Sequence, residues 1–160
     1  CASAHSSLII ENTNPKSNNG SDTFAFSKRY QKDGSEIVFL RHQGYKNKFT
    51  ATCSRTIEVN RTGKNIAIQD EIQAFKLLKF DIRIHLSPKV KVSLSLDKNK
   101  ALLILDGQGW HFSFKGNVNL LLEPSIFIED NGQIKKTNQL ILQGETLEER
   151  TEVLWGFTKN

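Results

Sequence analysis

Residues Phe80 to Val92, Phe-Asp-Ile-Arg-Ile-His-Leu-Ser-Pro-Lys-Val-Lys-Val, leave this chain few ways to fold. Phe80, Ile82, Ile84 and Leu86 alternate with Asp81, Arg83 and His85. A period of two sends successive side chains to opposite faces of a strand, so one face belongs in a core and the other in water. Ser87-Pro88 breaks the run, and Val90, Val92, Leu94 and Leu96 begin a second one. Further on, Leu103 to Leu105 leads through the turn Asp106-Gly107-Gln108-Gly109 into the aromatic run Trp110 to Phe114.

The rest of the chain repeats this grammar. Residues 2 to 10 read as a first strand, buried at Leu8, Ile9 and Ile10. Glu11 to Asp22 is a long polar loop, and loops of that length inside a compact domain are commonly mobile or functional. Phe24 and Phe26 mark a short strand, and Glu36 to His42 another. Phe49 to Asn60 and Ile66 to Ile72 form a hairpin through Arg61-Thr62-Gly63-Lys64-Asn65. Ala74 to Lys79 joins it to the central strand with a short helical turn. Ala101 to Leu105, Trp110 to Phe114, Val118 to Leu122, Ile126 to Ile128, Gln133 to Leu142 and Thr151 to Phe157 complete the set. Pro124 predicts an edge or a bend, and Asp130-Asn131-Gly132 a tight turn. About a dozen strands at roughly ten-residue spacing predict an all-β, two-sheet antiparallel β-sandwich over residues 1–160.

A chain of 160 residues is long enough for one domain with its own core. No apolar run reaches the roughly 20 residues of a membrane helix. The chain starts at Cys1 and contains no Met, so it is read as part of a longer protein. The net charge of +5 suits an acidic polysaccharide or a nucleic acid, or simply a soluble surface. Lys and Arg are scattered, and no nucleic-acid-binding signature is present, so nucleic acid is the weakest of these partners. Cys1 and Cys53 allow at most one disulfide, and inert free thiols are the plainer reading.

Catalytic motifs are absent. His5, His42, His85 and His111 form no local metal pair, so a metal would need ligands from distant strands. The Asp106 to Gly109 turn precedes no helix and cannot cradle phosphate. An aromatic beside cations suits a sugar, because ring faces stack and cations pair with carboxylate or sulfate. Arg41, His42, Tyr45, Arg83, His85 and Trp110 are therefore candidate glycan-binding residues. Each also has a structural reading: His85 on a solvated strand face, Trp110 in the core beside Phe112 and Phe114, and Arg41, His42 and Tyr45 edging a turn.

Several segments occur together in a telling order: Ala4-His5-Ser6-Ser7-Leu8, His42-Gln43-Gly44-Tyr45, Arg55-Thr56-Ile57-Glu58-Val59, Ile68-Gln69-Asp70, Arg83-Ile84-His85-Leu86-Ser87-Pro88, Gly109-Trp110-His111-Phe112 and Trp155-Gly156-Phe157. Their order and spacing resemble the C-terminal, supersandwich-like β-sandwich of heparinase II/III-like proteins, a polysaccharide-lyase superfamily. The resemblance runs from about His5 to the end. It implies a parent with an N-terminal (α/α) toroid and a cleft for an acidic polysaccharide between the two parts. It also implies β-elimination at a uronate and a periplasmic or cell-envelope setting. In such proteins the sandwich contributes a histidine from its first strand. That position corresponds to His5, with Ser6 where Asn is common, and gives His5 a catalytic role as charge neutraliser or proton handler. Some relatives hold a structural zinc. Cys53 stands two residues before Arg55, where His is frequent, so His5 and Cys53 are a candidate zinc pair with a third ligand unassigned.

Two functions follow from this reading. In one, the chain is the sandwich of a polysaccharide lyase, inactive alone and supplying His5 and one cleft wall. In the other, it is a non-catalytic glycan-binding or scaffold module.

Overall fold

A computed structural model describes residues 6–15, 25–147 and 149–160. The expected strand residues 2–5, the loop residues 16–22 and Phe24 lie outside the described residues. Twelve strands are found among the described residues: β1 (Leu8–Ile10), β2 (Ala25–Lys32), β3 (Ser35–Tyr45), β4 (Ala51–Asn60), β5 (Asn65–Gln73), β6 (Lys79–His85), β7 (Lys91–Leu94), β8 (Lys100–Leu105), β9 (Gln108–Lys115), β10 (Val118–Ile128), β11 (Ile134–Glu145) and β12 (Arg150–Lys159). One short helix, α1 (Lys46–Phe49), joins β3 to β4.

Two sheets form the expected sandwich. The smaller has the order β1-β6-β11-β10 and the larger β2-β3-β4-β5-β12-β9-β8-β7. Every pairing is antiparallel. The chain changes sheet between β1 and β2, β5 and β6, β6 and β7, β9 and β10, and β11 and β12. Those crossings make β5 and β12, far apart in sequence, direct neighbours.

The alternation at 80–86 places the core as expected. Phe80, Ile82, Ile84 and Leu86 are buried, and they join Leu8, Ile10, Leu120, Leu140 and Leu142 on the inner face of the small sheet. Facing them from the large sheet are Ile68, Ile72, Ala101, Leu103, Phe112, Val153 and Trp155. Phe112 is fully buried, with its ring centroid 5.3 Å from Phe157 and 6.2 Å from Trp155. Each fully buried side chain of this size contributes about 2–3 kcal/mol of transfer free energy.

The other face of β6 departs from the expectation. Asp81 and Arg83 are only 18% and 17% exposed. β6 is an interior strand of its sheet, and the register sets Ile9 opposite Asp81 and Ile141 opposite Arg83, both buried. This row of charges is therefore crowded by aliphatic neighbours instead of standing in water.

Other differences are local. β10 runs unbroken through Pro124, which sits in register with Asn138; β10 is an edge strand, where a missing N–H is tolerated. β2 continues to Lys32 with every residue exposed. Residues 74–78 form no helical turn and cross between the sheets. Phe49, expected to open a strand, instead ends α1, which stops at Thr50 in a left-handed conformation (φ 55°).

Candidate functional site

The segments that carried the family resemblance are scattered through the sequence, yet most of them meet where the chain enters β1. Ser6 is the residue of contact. Arg55 Nη1 donates to the Ser6 carbonyl at 3.0 Å. The His85 backbone N–H donates to Ser6 Oγ at 3.0 Å. The Arg83 backbone N–H donates to the Ser7 carbonyl at 2.9 Å. The Tyr45 hydroxyl donates to the Thr13 carbonyl at 2.9 Å and approaches that of Leu8 at 3.5 Å. His5 lies outside the described residues, one peptide bond before Ser6.

Behind Ser6 stands a buried polar group. Arg55 Nε and Nη2 bind the two oxygens of Asp70 at 2.7 and 2.9 Å, an edge-on pair that fixes the guanidinium plane. Trp155 Nε1 donates to Asp70 Oδ2 at 2.8 Å. The Arg55 guanidinium lies 5.5 Å from the centroid of the same indole, within cation–π reach. Register explains the grouping, because Arg55 pairs with Asp70 across β4–β5, and β12 lies beside β5.

His42 and Cys53 flank this group as a cross-strand pair. His42 Nδ1 accepts the Gly44 N–H at 3.3 Å, within the bulge that interrupts the β3–β4 register. A Cβ on Gly44 would come within 2.7 Å of the Pro15 side chain, so the chain passes there only as glycine. Burial pushes the His42 imidazole below its usual range, and the positive charge of Arg55 adds to that. Burial pushes the Cys53 thiol up to about 12; nearby Asp70 adds to the rise and Arg55 partly offsets it.

Cys53 is 3% exposed, and among the described residues no group of three His, Cys, Asp or Glu side chains could hold a metal. His5, the other member of the candidate zinc pair, lies outside the described residues.

The candidate glycan residues do not form one patch. Arg41 is exposed on β3, next to Phe26 of β2. Tyr45 is 1% exposed, packs 6.1 Å from Phe49, and its hydroxyl is pushed up to about 12 by burial. It presents no ring face to a sugar in this chain; the bulge after His42 turns it inward. Trp110 is half-buried against the core rim, with Lys159 Nζ 5.9 Å from its ring centroid. Arg83 and His85 share the crowded face of β6, where Arg83 binds Asp81 at 2.8 Å and His85 Nδ1 lies 3.0 Å from Ser125 Oγ. Two buried atoms there, Arg83 Nε and Gln139 Oε1, have no hydrogen-bond partner among the described residues. A groove of about 370 Å³ runs beside them, lined by Glu11, Lys79, Asp81, Arg83 and Gln143 among others.

Sequence reasoning singled out Arg55, Asp70 and Trp155 only as parts of motifs, without assigning them a site role. The signal was in the segments themselves: a lone Asp between strand residues, an Arg in a β-branched run and a Trp beside a Gly.

The family model "Heparinase II/III-like, C-terminal" matches residues 1–156. No curated protein matches the sequence. Among solved structures, a heparinase III gene product superposes with a TM-score of 0.78 at 13% identity, covering 99% of this chain and 24% of that one. A heparan sulfate lyase, HepC from Pedobacter heparinus, gives 0.76 at 12% identity, with 99% and 24% covered. Another heparinase III gives 0.71 at 14% identity, with 97% and 23% covered. The chain thus spans about a quarter of the length of these proteins. Among the described residues, no helix is long and apolar enough to cross a membrane.

Proposed function

We propose that this chain, which belongs to the heparinase II/III-like C-terminal family, is the sandwich wall of a polysaccharide lyase acting on an acidic glycan. A helical N-terminal body of the same polypeptide supplies the other wall, and the sandwich alone is inactive. The observation that carries this reading is the convergence of Arg55, Arg83 and His85 on Ser6 and Ser7, the two residues after His5.

In β-elimination a base takes the proton from C5 of the uronate. The C4–O4 bond breaks, a C4=C5 double bond forms, and O4 leaves with a proton. The uronate carboxylate must be neutralised for C5 to become acidic, and charge building up there must be met by placed donors. His5 is the group this chain offers for that work, either as cation beside the carboxylate or as proton carrier. Exposed Arg41 adds positive charge, and the net charge of +5 favours a polyanion.

The experiment compares the full-length parent with this chain on uronate polymers, following the ultraviolet absorbance of the new double bond. Activity in the parent, its loss in His5→Ala, and none in the isolated chain are expected. No turnover by the parent on any uronate polymer removes the lyase reading. Salt-sensitive binding without turnover would move the chain to the class of glycan-binding modules.

A further inference from the structure

The outer face of the large sheet carries rings and cations side by side. Phe26, Lys28 and Tyr30 share one face of β2, and register sets them against Arg41, Phe39 and Ile37 of β3. Phe39 and Ile37 pair in turn with Thr56 and Glu58 of β4, on either side of Ile57, which packs on the core. Alternation therefore points this set away from the sandwich interior. Phe26 and Tyr30 are 44% and 40% exposed, and Lys28 and Arg41 are exposed too. The Phe26 and Phe39 rings meet at 6.2 Å between centroids, and Lys28 Nζ lies 5.3 Å from the centroid of the Tyr30 ring.

β2 is an edge strand, and cations on an edge discourage foreign strands from pairing there. Exposed rings act the other way, since large apolar groups on an open edge invite association. Edge protection thus accounts for the lysine and not for its aromatic neighbours. An acidic glycan uses both: ring faces take the apolar side of a sugar, and ammonium and guanidinium groups take its carboxylate or sulfate.

The same face holds a groove of about 400 Å³, lined by Thr56, Gln69, Leu154 and Lys115 among others. Register ties the groove to the patch. Lys28, Phe39, Thr56, Gln69, Leu154 and Lys115 form one row across β2, β3, β4, β5, β12 and β9. Six strands at about 4.8 Å spacing make that row roughly 24 Å long, with an ammonium group at each end. Between the ends, Thr56 and Gln69 offer a hydroxyl and an amide, and Leu154, 45% exposed, offers apolar contact. In the adjacent row Ala67 stands beside Gly156, and side chains this short leave the groove open.

We propose that this row is a binding track for an acidic glycan chain laid across the strands, gripped at one end by Lys28, Tyr30 and Arg41 and at the other by Lys115. Arg55 and Asp70 alternate to the other face of the sheet, so the track shares no residue with the group around Ser6.

Dextran sulfate binding to the full-length protein tests this, because that anionic glycan has no uronate and a uronate-directed elimination leaves it intact. Tyr30→Ala should weaken binding about fivefold. Lys28→Ala with Arg41→Ala should weaken it about tenfold and flatten its salt dependence. Lys89→Ala with Lys136→Ala removes as much charge away from the large sheet and should weaken binding less than about twofold. Polyglutamate, anionic but without sugar rings, should bind Tyr30→Ala and wild type alike. A brief acetylation pulse followed by peptide mapping should label Lys28 and Lys115 in the free protein and find both shielded by dextran sulfate. Equal losses from the two charge pairs would overturn the proposal, because they mark a general attraction between a basic protein and any polyanion. Undiminished binding by Tyr30→Ala, or the same loss towards polyglutamate, would overturn it as well. So would the absence of dextran sulfate binding, or a Lys28 and Lys115 that resist acetylation without the polymer, which would show the face already covered.

Discussion

Trp155 and Asp70 stand 85 positions apart in sequence, and the indole Nε1 donates to the carboxylate Oδ2 at 2.8 Å between the two sheets. With Arg55 on its other side, Asp70 receives three donors while almost sealed from water. Asp70→Asn leaves the Arg55 charge uncompensated, and the expected loss is about 3–5 kcal/mol. The double variant Arg55→Met with Asp70→Leu should cost much less than Asp70→Asn alone. Urea midpoints of the three proteins check this, and a double variant as unstable as the single one would refute the account.

His42 should make the protein sensitive to mild acid. Its folded pKa lies below the ordinary 6.5, chiefly through burial and further through Arg55. The unfolded chain then binds more protons than the folded one just below pH 6.5, so stability rises with pH through that window. The contribution is complete above 6.5 and is lost as pH falls towards the folded value. Urea midpoints at pH 7.5 and pH 5 should differ more for the wild type than for His42→Gln; equal differences would count against it.

Cys53 should be chemically silent in the folded protein. Its thiol is 3% exposed and pushed up to about 12, so little thiolate exists at pH 8. Alkylation at pH 8 followed by peptide mapping should leave Cys53 unmodified in native buffer and modified in urea. Labelling of Cys53 in the native state at the rate of a free thiol would contradict its placement.

Gly156 is required by strand spacing. A Cβ there would sit 2.2 Å from the Ile66 carbonyl oxygen, so β12 and β5 could not keep their register. Gly156→Ala should cost about 3 kcal/mol and lower the thermal midpoint clearly, as calorimetry would read.

Much of the sandwich was legible because period-two alternation is a local property. Phe80 to Leu86 declared its inner face correctly. The outer face of the same strand was misread, because its burial depends on Ile9 and Ile141, which only strand order brings alongside. Residues 28–32 of β2 went unread, since an edge strand exposed on both faces carries no apolar pattern. The four residues of α1 are too few to display a helical period. Tyr45 reads as a candidate glycan residue because sequence cannot see the bulge that turns it inward. The β4–β5 hairpin that pairs Arg55 with Asp70 was legible, but Ser6 and Trp155 join them over 49 and 85 positions through sheet crossings that alternation does not encode.

Pro124 has a consequence beyond its own strand. β10 is the outermost strand of the small sheet, and eleven consecutive register pairs hold its inner side to β11. An imino nitrogen fits such a ladder where it faces no partner, which puts the missing donor on the free side. A strand arriving from another molecule would find a gap in the middle of the row it needs to zip along. The protein thereby guards one of its open flanks against aggregation.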